Sequence, residues 1–424
     1  MKILTDVARL TFAASLIGSI GLQASPALAL PNNDAIYPHV ANAYKHLDEA
    51  MDEWGKGSQL RLPSSYHKGE KESWNPSVIY DDALTIIAYA NRSDSPESLE
   101  RAKNMGNTIL ELQAKDPAGD GRIRNAYMPD QLFLPNGRPN VTSSGPAAGN
   151  MAWAGMALAH LAKATGDAKY QQGAAKIGEW LLRETSDSRG AGGFTGGYKI
   201  DGTKATWKST EHNIDMIGLF GMLHELSGDA KWEQARSSAE KFVRSMWNNQ
   251  EGRFSTGTQD DGVTSNDSEY IPEDIHSWAV LALGDQSLNR GLDWAVKNLE
   301  TTDKSTPNYP FTGTRYALQI VKDRLDRNDN VVWLEGTAHM ALALKCSAQG
   351  ANAAKSKEYL KTVETAQVHG PNADGKGIQA DTSVGYSGGS GGDEMAHTSL
   401  HIGATSWYVM AAQGINPLRL GTRC

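Results

Sequence analysis

The sequence predicts an all-α protein, an (α/α)6 toroid in which six inner helices form a ring and six outer helices cover it. Six apolar runs rich in Ala and Gly recur at a spacing of roughly 60 to 70 residues, and such a period is the signature of repeated structural units. More polar amphipathic stretches alternate with these runs. Strand-like patterns are scarce, so we expect only minor β-hairpins in the loops.

The apolar runs are the predicted inner helices, because they are apolar around most of their circumference and suit helices that are packed on every side. Each run opens with a polar or acidic residue, and the six runs begin near residues 80, 149, 211, 274, 335 and 401. The amphipathic stretches carry charge on one face and are the predicted outer helices. They lie near residues 36–54, 96–115, 168–184, 230–248, 287–299 and 353–368.

A helical solenoid also stacks helical hairpins, so it is the competing interpretation of this pattern. Two observations favour a closed ring: the repeats stop at six, and long loops follow the outer helices where the inner ones begin. Twelve helices in one toroid use the whole of residues 30–424. We therefore expect a single domain over this range.

Residues 1–29 have the three parts of a cleavable secretory signal peptide. Lys2 and Arg9 make its start positive, residues 10–22 are apolar but too few to span a bilayer, and Ala27-Leu28-Ala29 is a small-residue cleavage signature. No later segment has enough consecutive apolar residues for a membrane helix. We therefore expect a secreted or periplasmic protein that begins near Leu30.

The net charge argues against a polyanionic partner. Cleavage of the leader removes two positive residues and one negative residue, Lys2, Arg9 and Asp6, so the formal charge moves from −8 to −9. No basic stripe suggests nucleic acid. We expect a monomer whose partner is a carbohydrate polymer or oligosaccharide.

The two cysteines, Cys346 in a predicted inner helix and Cys424 at the C-terminus, could pair in an oxidising compartment. A cysteine in an Ala-rich buried helix is more often a small apolar residue. The sequence therefore favours unpaired cysteines but leaves the bond open.

The densest group of polar residues opens the third inner helix. Glu211 and Asp215 lie four residues apart, so they project from one side of the helix, and Trp207, His212 and Asn213 surround them. An acidic residue in a first helical turn also complements the helix dipole without any further role. Asp215 lies deeper in an apolar run, where an unpaired charge is costly, so it needs either a buried partner or a function.

A second group opens the fourth inner helix. Asp274 and Trp278 share a helix face, and His276 lies between them. A carboxylate beside an aromatic ring suits a sugar, whose C–H face stacks on the ring while its hydroxyls accept and donate hydrogen bonds. The alternative is a capped helix with a core Trp.

Other polar and aromatic residues mark the starts of the remaining inner helices. Candidate residues at these ends are Asp82, Asn150, Trp153, Trp333, Glu335 and His401. No phosphate-binding loop, zinc-binding His pair or calcium-loop spacing is present, so we expect no metal and no cofactor.

The helix openings Gly149-Asn-Met-Ala-Trp153, Ser209-Thr-Glu-His-Asn-Ile-Asp215, Asp274-Ile-His-Ser-Trp278 and Trp333-Leu-Glu-Gly-Thr-Ala338 resemble those of the six-hairpin glycosidase superfamily. The likeness covers nearly the whole mature chain. It implies an (α/α)6 barrel and a carbohydrate-active enzyme. The superfamily includes inverting hydrolases, unsaturated-uronide hydrolases, polysaccharide lyases and sugar epimerases, so it does not fix the reaction.

Within this resemblance we expect an inverting glycoside hydrolase, which needs a general acid and a general base roughly 6.5 to 9.5 Å apart. Glu211 and Asp215 are one turn apart on one helix and tend to sit too close. We therefore assign Glu211 as acid, with Asp274 or Asp82 as base and Asp215 nearby. The expected sugar contacts are Trp207, Trp278, Trp333, His212, Asn213, Asn150, His276, Trp153, Glu335 and His401.

Two alternatives remain open. A polysaccharide lyase of the same fold would use a His or Tyr base with cations that neutralise a uronate. Its candidate bases are His212, His276 and Tyr270, and its candidate cations are Lys199, Lys204 and Lys208. A non-catalytic carbohydrate-binding or exopolysaccharide-assembly protein would keep the toroid without turnover.

Overall fold

The computed structural model describes residues 38–71, 75–266, 270–319, 330–347, 350–386 and 395–424. All of them belong to one compact unit, Asn32–Cys424. The predicted signal peptide and its cleavage point lie outside the described residues, so that boundary stays a prediction. None of the described helices combines the length and the apolar character that a bilayer crossing requires.

Twelve α-helices follow one another along the described part of the chain, and outer and inner positions alternate. In chain order they are α1 (Pro38–Asp52), α2 (Ile79–Ala90), α3 (Pro96–Lys115), α4 (Ala148–Thr165), α5 (Ala168–Thr185), α6 (Thr210–Ser227), α7 (Ala230–Ser245), α8 (Asp274–Leu283), α9 (Asn289–Leu299), α10 (Leu334–Cys346), α11 (Gly350–His369) and α12 (Ile402–Gln413). Odd-numbered helices are outer and even-numbered helices are inner. Short 3₁₀ turns lie at Gly69–Lys71 and Gln286–Leu288.

The inner helices close into a ring. Each packs against the next, from α2 through α4, α6, α8 and α10 to α12, and α12 packs back against α2. The first outer helix, α1, covers α12, so the two ends of the chain complete the circle. A solenoid would leave its first and last repeats apart. The predicted (α/α)6 toroid is therefore confirmed.

Small residues allow the inner helices to be buried on all sides. In α4, every residue from Ala148 to Ala162 except Asn150 is buried. A methyl group added at Gly155 would lie 2.7 Å from a side-chain carbon of Leu219 on α6. Outer helices bury one face only, as in α5, where Tyr170, Ile177 and Trp180 are buried. This is the alternation that the sequence predicts.

Glycine ends four of the six inner helices. Gly166, Gly228, Gly284 and Gly414 follow α4, α6, α8 and α12 with φ of 69°, 68°, 64° and 71°. Glycine adopts this left-handed conformation without the steric cost that a Cβ brings. The chain can therefore turn out of the ring at the same place in successive repeats.

Strands of two to four residues decorate the loops. They are β1 (Tyr66–His67), β2 (Ser77–Val78), β3 (Ala126–Tyr127), β4 (Val141–Ser143), β5 (Trp247–Asn248), β6 (Arg253–Phe254), β7 (Tyr270–Pro272), β8 (Glu300–Asp303), β9 (Phe311–Thr314), β10 (Ala317–Gln319), β11 (Gly385–Tyr386), β12 (Met395–Ala396) and β13 (Leu400–His401). The antiparallel pairings are β1–β13, β2–β3–β4, β5–β6, β7–β10, β8–β9 and β11–β12. Of these, β1–β13 joins the loop before α2 to the segment that enters α12.

The C-terminal tail covers the end of the ring where the inner helices stop. Ile415 and Leu418 of the tail are buried, and the carbonyl of Pro417 lies 2.9 Å from His160 Nε2 on α4. Asn416 Nδ2 donates to the carbonyl of Leu281 on α8. The functional residues must therefore be sought at the opposite rim, where the inner helices begin.

A disulfide holds this tail in place. Cys346 at the end of α10 is bonded to Cys424, and their Cα atoms lie 4.9 Å apart. The sequence analysis favoured unpaired cysteines, and the structure corrects this prediction. Helix α10 ends at Cys346, so its sulfur faces the C-terminal tail and is not enclosed in the middle of the ring.

We expect removal of this bond by Cys346→Ser with Cys424→Ser to lower the free energy of unfolding by roughly 2 to 5 kcal/mol, because the bond closes a loop between residues 78 apart in sequence. Urea unfolding of the double variant and of reduced wild type measures the loss. Thiol labelling of the unreduced, denatured wild type should find no free cysteine. Labelling of both thiols in protein purified from an oxidising compartment would contradict the bond.

Candidate active site

The inner helices place their functional side chains in two layers at the rim where they begin. Residues four apart in a helix lie on the same face, one above the other. Five of the inner helices share this register, with the upper and lower members of each pair being Gly149 and Trp153, Glu211 and Asp215, Asp274 and Trp278, Glu335 and His339, and Gly403 and Trp407. The upper layer therefore holds acids and glycines, and the lower layer holds mostly aromatic rings.

The lower layer forms a closed aromatic floor around the ring axis. The ring centroids of Trp153 and Trp278 lie 5.1 Å apart, and each lies 5.8 Å from that of Trp407. His339 lies 5.5 Å from Trp278 and 5.1 Å from Trp407. All four rings are at most 3% exposed. The toroid is therefore filled at this level.

This floor corrects two of the expected sugar contacts. Trp153 is 1% exposed and Trp278 is 3% exposed, so neither presents a ring face to a ligand. For Trp278 the alternative of a core Trp below a helix start describes the structure. The indole nitrogens of both rings are buried and make no hydrogen bond of ordinary geometry to the described residues.

Asp215 occupies the position in this floor that the corresponding helices fill with Trp or His. It is fully buried, and neither carboxylate oxygen makes a hydrogen bond of ordinary geometry to the described residues. Burial raises the pKa of Asp215 well above its usual range, and the nearby charges of Glu211 and Asp274 raise it further, whereas the indole of Trp153 opposes the rise. The carboxyl group therefore favours its protonated form.

Asp274 lies in the upper layer on the neighbouring helix α8. It is 4% exposed. Burial raises the pKa of Asp274 well above its usual range, and the nearby carboxyl group of Glu211 adds to this effect. Glu211 and Asp274 come from adjacent inner helices and are close enough for the charge of one to act on the other. The structure thus brings together two of the predicted catalytic residues.

A cavity of about 440 Å³ lies above Glu211. Glu211 and His212 are half-buried in its wall, as is Trp207, whose ring centroid lies 5.7 Å from that of His212. Two aromatic residues that the sequence did not single out for sugar contact, Tyr270 and Tyr316, also line it. This volume falls within the range of small-molecule sites.

Gly149 explains how Glu211, His212 and Asp215 fit against α4. A methyl group added there would lie 2.6 Å from the imidazole of His212 and 2.9 Å from Asp215 Oδ2. Gly403 on α12 has the same role for Asp81, whose Oδ1 would lie 2.7 Å from an added methyl group. The glycines of the upper layer thus make room for acids on neighbouring helices.

His401 joins two carboxylates on the α2, α10 and α12 side of the rim. Its Nε2 lies 3.1 Å from Asp81 Oδ1, and its Nδ1 lies 3.4 Å from Glu335 Oε2. Burial alone would lower the pKa of His401, but the two carboxylates raise it above its ordinary value. The two carboxylates therefore favour the protonated form of His401, whereas the N–H of Ala404, which donates to Nδ1, favours the neutral form.

Tyr80 ties this group to the aromatic floor. Its hydroxyl donates to Glu335 Oε1 at 2.6 Å and accepts from the indole of Trp407 at 2.9 Å. Burial raises the pKa of Glu335 even though His401 and Tyr80 act in the opposite direction. Glu335 and His401, both expected from the sequence, thus belong to one network, and Tyr80 and Asp81 complete it.

A neutral acid–imidazole pair lies under the rim between α8 and α10. Glu273 Oε2 lies 2.8 Å from His339 Nδ1, and both side chains are fully buried. Burial raises the pKa of Glu273 well above its usual range and lowers the pKa of His339 to about 3. The proton therefore stays on the carboxyl group, which avoids two buried charges.

Asp82 is not part of this site. Its Oδ2 accepts a hydrogen bond from Ser77 Oγ at 2.8 Å, and the residue is fully buried. Burial raises the pKa of Asp82 well above its usual range, and the nearby Asp81 adds to this effect. Successive helix residues point about 100° apart, so the neighbour Asp81 faces His401 while Asp82 lies between elements of the scaffold. We therefore withdraw Asp82 as a candidate base.

Asn213 and His276 hold the scaffold together instead of facing a ligand. Asn213 is fully buried and pairs with both the N–H and the carbonyl of Phe194. His276 stacks on Trp294 at 4.9 Å, and burial lowers its pKa to about 3. Both were expected to bind sugar hydroxyls because of their sequence neighbours. Their positions on the helix turn them toward the outer layer.

Asn150 and Trp333 remain at the rim. Asn150 is half-buried and donates to Asn125 Oδ1 at 3.1 Å. Trp333 is half-buried, with its ring 4.9 Å from that of Tyr316, which lines the cavity. Lys208, a candidate cation for a lyase, is buried and donates to the carbonyls of Arg189 and Gly192.

The rim and floor residues that were not predicted as site residues share a sequence pattern. Asp81, Glu273 and Tyr80 all lie within the first turn of an inner helix or directly before it. His339 and Trp407 follow the upper-layer residues Glu335 and Gly403 by four positions. Alignment of the six helix starts on this four-residue pair would have separated upper-layer from lower-layer residues.

Comparison with known proteins places the fold. No family model matches the chain, and no curated protein matches it. A solved structure described as D-mannose isomerase has a TM-score of 0.65 at 11% identity, over 91% of this chain and 97% of that one. A sugar epimerase from a ruminal bacterium has a TM-score of 0.63 at 10% identity, over 90% and 98% of the two chains.

A glycoside hydrolase family 76 mannosidase from Bacteroides thetaiotaomicron has a TM-score of 0.61 at 12% identity, over 88% of this chain and 98% of that one. These similarities extend over nearly the whole described toroid. At such identities they bear on architecture alone. The chain therefore shares its (α/α)6-toroid fold with these structures.

Proposed function

We propose that this protein is an exported glycoside hydrolase that cleaves a poly- or oligosaccharide by an inverting mechanism. The observation that carries the proposal is the pair formed by Glu211 and Asp274. These two carboxyl groups come from adjacent inner helices at the rim and act on each other electrostatically, and Glu211 lines a cavity. Inverting hydrolysis requires two carboxyl groups in different protonation states.

Asp274 is the better general acid and Glu211 the better general base, the reverse of the order that the sequence suggested. The raised pKa of Asp274 keeps its proton at a pH where an ordinary aspartic acid has lost it. Glu211 is half-buried in the cavity wall, where a water molecule can reach it. A buried donor and a solvent-facing acceptor suit the two halves of the reaction.

Asp215 is a positioning residue in this proposal. Its protonated carboxyl group sits below Glu211 in the floor, and a neutral group there adds no negative charge under the reacting pair. Three corresponding helices have Trp at this position, and a Trp here would fill the space next to Gly149. Asp215 is smaller than Trp, so it leaves room for Glu211 and His212 in the layer above it.

The walls of the cavity suit a neutral sugar. Trp207, Tyr270 and Tyr316 offer aromatic faces, and His212 offers a polar edge. Glu211 in the cavity wall would disfavour a uronate, and Lys208 is held by backbone carbonyls. These features favour hydrolysis of a neutral glycan over elimination on a uronate polymer. Mannose-containing polymers are the first substrates to test, since one similar structure is described as a mannosidase.

Export of the protein is part of the proposal. The leader in residues 1–29 has the pattern of a secretory signal, and the bond between Cys346 and Cys424 suits an oxidising compartment. A secreted or periplasmic location also places a hydrolase where polysaccharides occur.

We expect Glu211→Gln and Asp274→Asn each to lower kcat on a cleaved polysaccharide by about 10² to 10⁴-fold, the usual contribution of a positioned acid or base. The assay is a screen of the purified mature protein against mannans, glucans and uronate polymers, read for reducing ends and for ultraviolet absorbance of unsaturated products. Asp82→Asn is the control, because it changes a buried acid outside the site and should keep activity.

Other results of this screen would indicate a different function. Unsaturated products would identify a lyase, and a polymer that binds but stays intact would identify a binding protein. Full activity of Glu211→Gln or of Asp274→Asn would remove that residue from the mechanism.

We also expect the sugar released by the wild type to have the anomeric configuration opposite to that of the cleaved bond, because water attacks from the face opposite the leaving group. Proton NMR during the first minutes of the reaction shows the configuration before mutarotation. Retention would require a covalent intermediate and would exclude Glu211 as a base that activates water in the first step.

The raised pKa of Asp215 predicts a pH-dependent stability difference. In the window above the unfolded value of about 4, the folded protein binds more protons at this site than the unfolded chain, so stability falls as pH rises. We expect Asp215→Asn to raise the thermal unfolding midpoint relative to wild type by roughly 2 to 4 °C more at pH 8 than at pH 5.

Asp285→Asn is the control for this measurement. Hydrogen bonds from Ser287 and an ion pair with Arg244 lower the pKa of Asp285, so it is ionised throughout this pH range. Its effect on the midpoint should be the same at both pH values. An equal effect of Asp215→Asn at pH 5 and pH 8 would show that Asp215 does not carry a proton in the folded protein.

A further inference from the structure

A second cavity, of about 620 Å³, lies outside the catalytic rim against the outer helix α1. His46, Ala50 and Trp54 line it from α1 and the residues after it, and Met128 lines it from the loop after β3. His67 and Leu400 line it from the strand pair β1–β13. It is larger than the cavity above Glu211, and none of its lining residues belongs to the catalytic group.

The strand pair β1–β13 lies between the second cavity and the group around His401. Tyr66 lies opposite His401 and His67 lies opposite Leu400 in this pair, and successive strand residues point to opposite faces. Tyr66 stacks on His401 at 4.7 Å, on the side of the catalytic network. His67 and Leu400 therefore face the other way, into the second cavity.

Two buried imidazole nitrogens in this cavity have no partner among the described residues. His46 is 4% exposed, and its Nε2 makes no hydrogen bond. His67 Nδ1 is also buried and makes none, whereas its Nε2 lies 3.1 Å from Glu53 Oε2. The two rings meet edge to face at 5.3 Å. Buried polar atoms in proteins are almost always satisfied, so a bound group that supplies hydroxyls is the expected partner.

His46 is uncharged, which suits a neutral partner. Burial lowers the pKa of His46 to about 3, and the neighbouring His67 adds to this effect. A neutral imidazole carries one donor and one acceptor, and a hydroxyl group can pair with either. An anion would find no fixed positive charge on this ring.

Two of the carboxylates that line the cavity are paired with lysines. Lys376 Nζ lies 2.6 Å from Glu49 Oε2, and Lys68 Nζ lies 3.8 Å from Asp374 Oδ2. Glu53 contacts His67, and Asp130 also lines the cavity. These carboxylates disfavour an anionic ligand. The lining of the cavity also combines apolar side chains with hydrogen-bonding groups.

Trp54 supplies the aromatic surface that sugar recognition requires. It is half-buried, and its indole donates to Ser64 Oγ at 2.8 Å, which fixes the plane of the ring. Amphipathic aromatic rings bind the C–H faces of sugars while nearby polar groups bind the hydroxyls. The combination of a fixed indole with two unsatisfied imidazole nitrogens is the pattern of a sugar site.

We propose that this cavity is a second carbohydrate-binding site, which holds a neutral sugar residue with Trp54 as its platform and with His46 and His67 as its hydroxyl partners. The identity of the polymer rests on the proposed function. The site itself lies apart from the reacting groups, so it binds without cleaving. Its position beside the rim suits a longer chain that also enters the catalytic cavity.

The experiment is affinity electrophoresis in native gels that contain soluble mannan, dextran, β-glucan or, as an anionic control, alginate. All proteins carry Glu211→Gln so that the polymer is not cut during the run. We expect retardation by a neutral polymer, and roughly tenfold weaker binding with Trp54→Ala, since a central aromatic residue carries much of such an interface. Met128→Trp, which fills the cavity without removing its supports, should have the same effect.

Tyr309→Ala is the matched control, because Tyr309 is an exposed aromatic residue that stacks on His369 and lines neither cavity. It should bind like the parent. Circular dichroism confirms that each variant is folded. Unchanged binding with both Trp54→Ala and Met128→Trp, retardation by alginate alone, or no retardation by any polymer would overturn the second site.

A parallel assay separates this inference from the proposed function. With Glu211 intact, Trp54→Ala should cleave a disaccharide or aryl glycoside at the wild-type rate and raise KM for the long polymer several-fold. Polymer binding that depends on Trp54 in a protein without hydrolase activity would retain the second site and reject the hydrolase. Hydrolysis with Trp54-independent binding would do the reverse.

Discussion

The closure of six inner helices around a packed aromatic floor is the constraint on which the rest of the structure depends. Trp153, Trp278 and Trp407 reach the axis from three helices and bury large apolar surfaces against one another, which fixes the height of each helix in the ring. Because the helices are held in register, their starts meet at one rim. The partial positive charge at each helix start then favours carboxylates there.

Desolvation raises the pKa of the carboxyl groups at this rim. Asp274 and Asp215 are buried, and the neighbouring carboxyl group of Glu211 makes their ionisation less favourable. Both therefore favour the protonated form. On the other side of the rim, Asp81 and Glu335 lie beside the imidazole of His401 and raise its pKa. The same rim thus contains carboxyl groups that favour the protonated form and carboxylates that have an imidazole as partner. The difference arises from the partners of each carboxylate and not from its residue type.

The fold could be predicted because it depends on features that repeat. Six apolar runs predicted the buried inner helices, and six amphipathic stretches predicted the outer helices. The glycine and alanine content of the apolar runs predicted close packing of the inner helices. The site was only partly predictable. Glu211, Asp274, Glu335 and His401, which the sequence places at helix starts, lie at the rim that forms the candidate site. Asp82, Asn213 and His276 also lie at helix starts, but a rotation of about 100° per residue turned them into the scaffold. Trp278 was mistaken for a sugar platform because its side chain points inward to a filled axis.

The sequence by itself determined the number of repeats, the alternation of inner and outer helices and the clustering of acids at helix starts, because periodicity and helix capping are local properties of the chain. Only the tertiary structure decided that the ring closes, that Cys346 reaches Cys424 and that Asp274 is shielded from water beside Glu211. It also decided that β1 and β13, which lie more than 300 residues apart, pair and contribute His67 and Leu400 to the second cavity. These outcomes depend on which distant residues meet, and hence on contacts that no local pattern records.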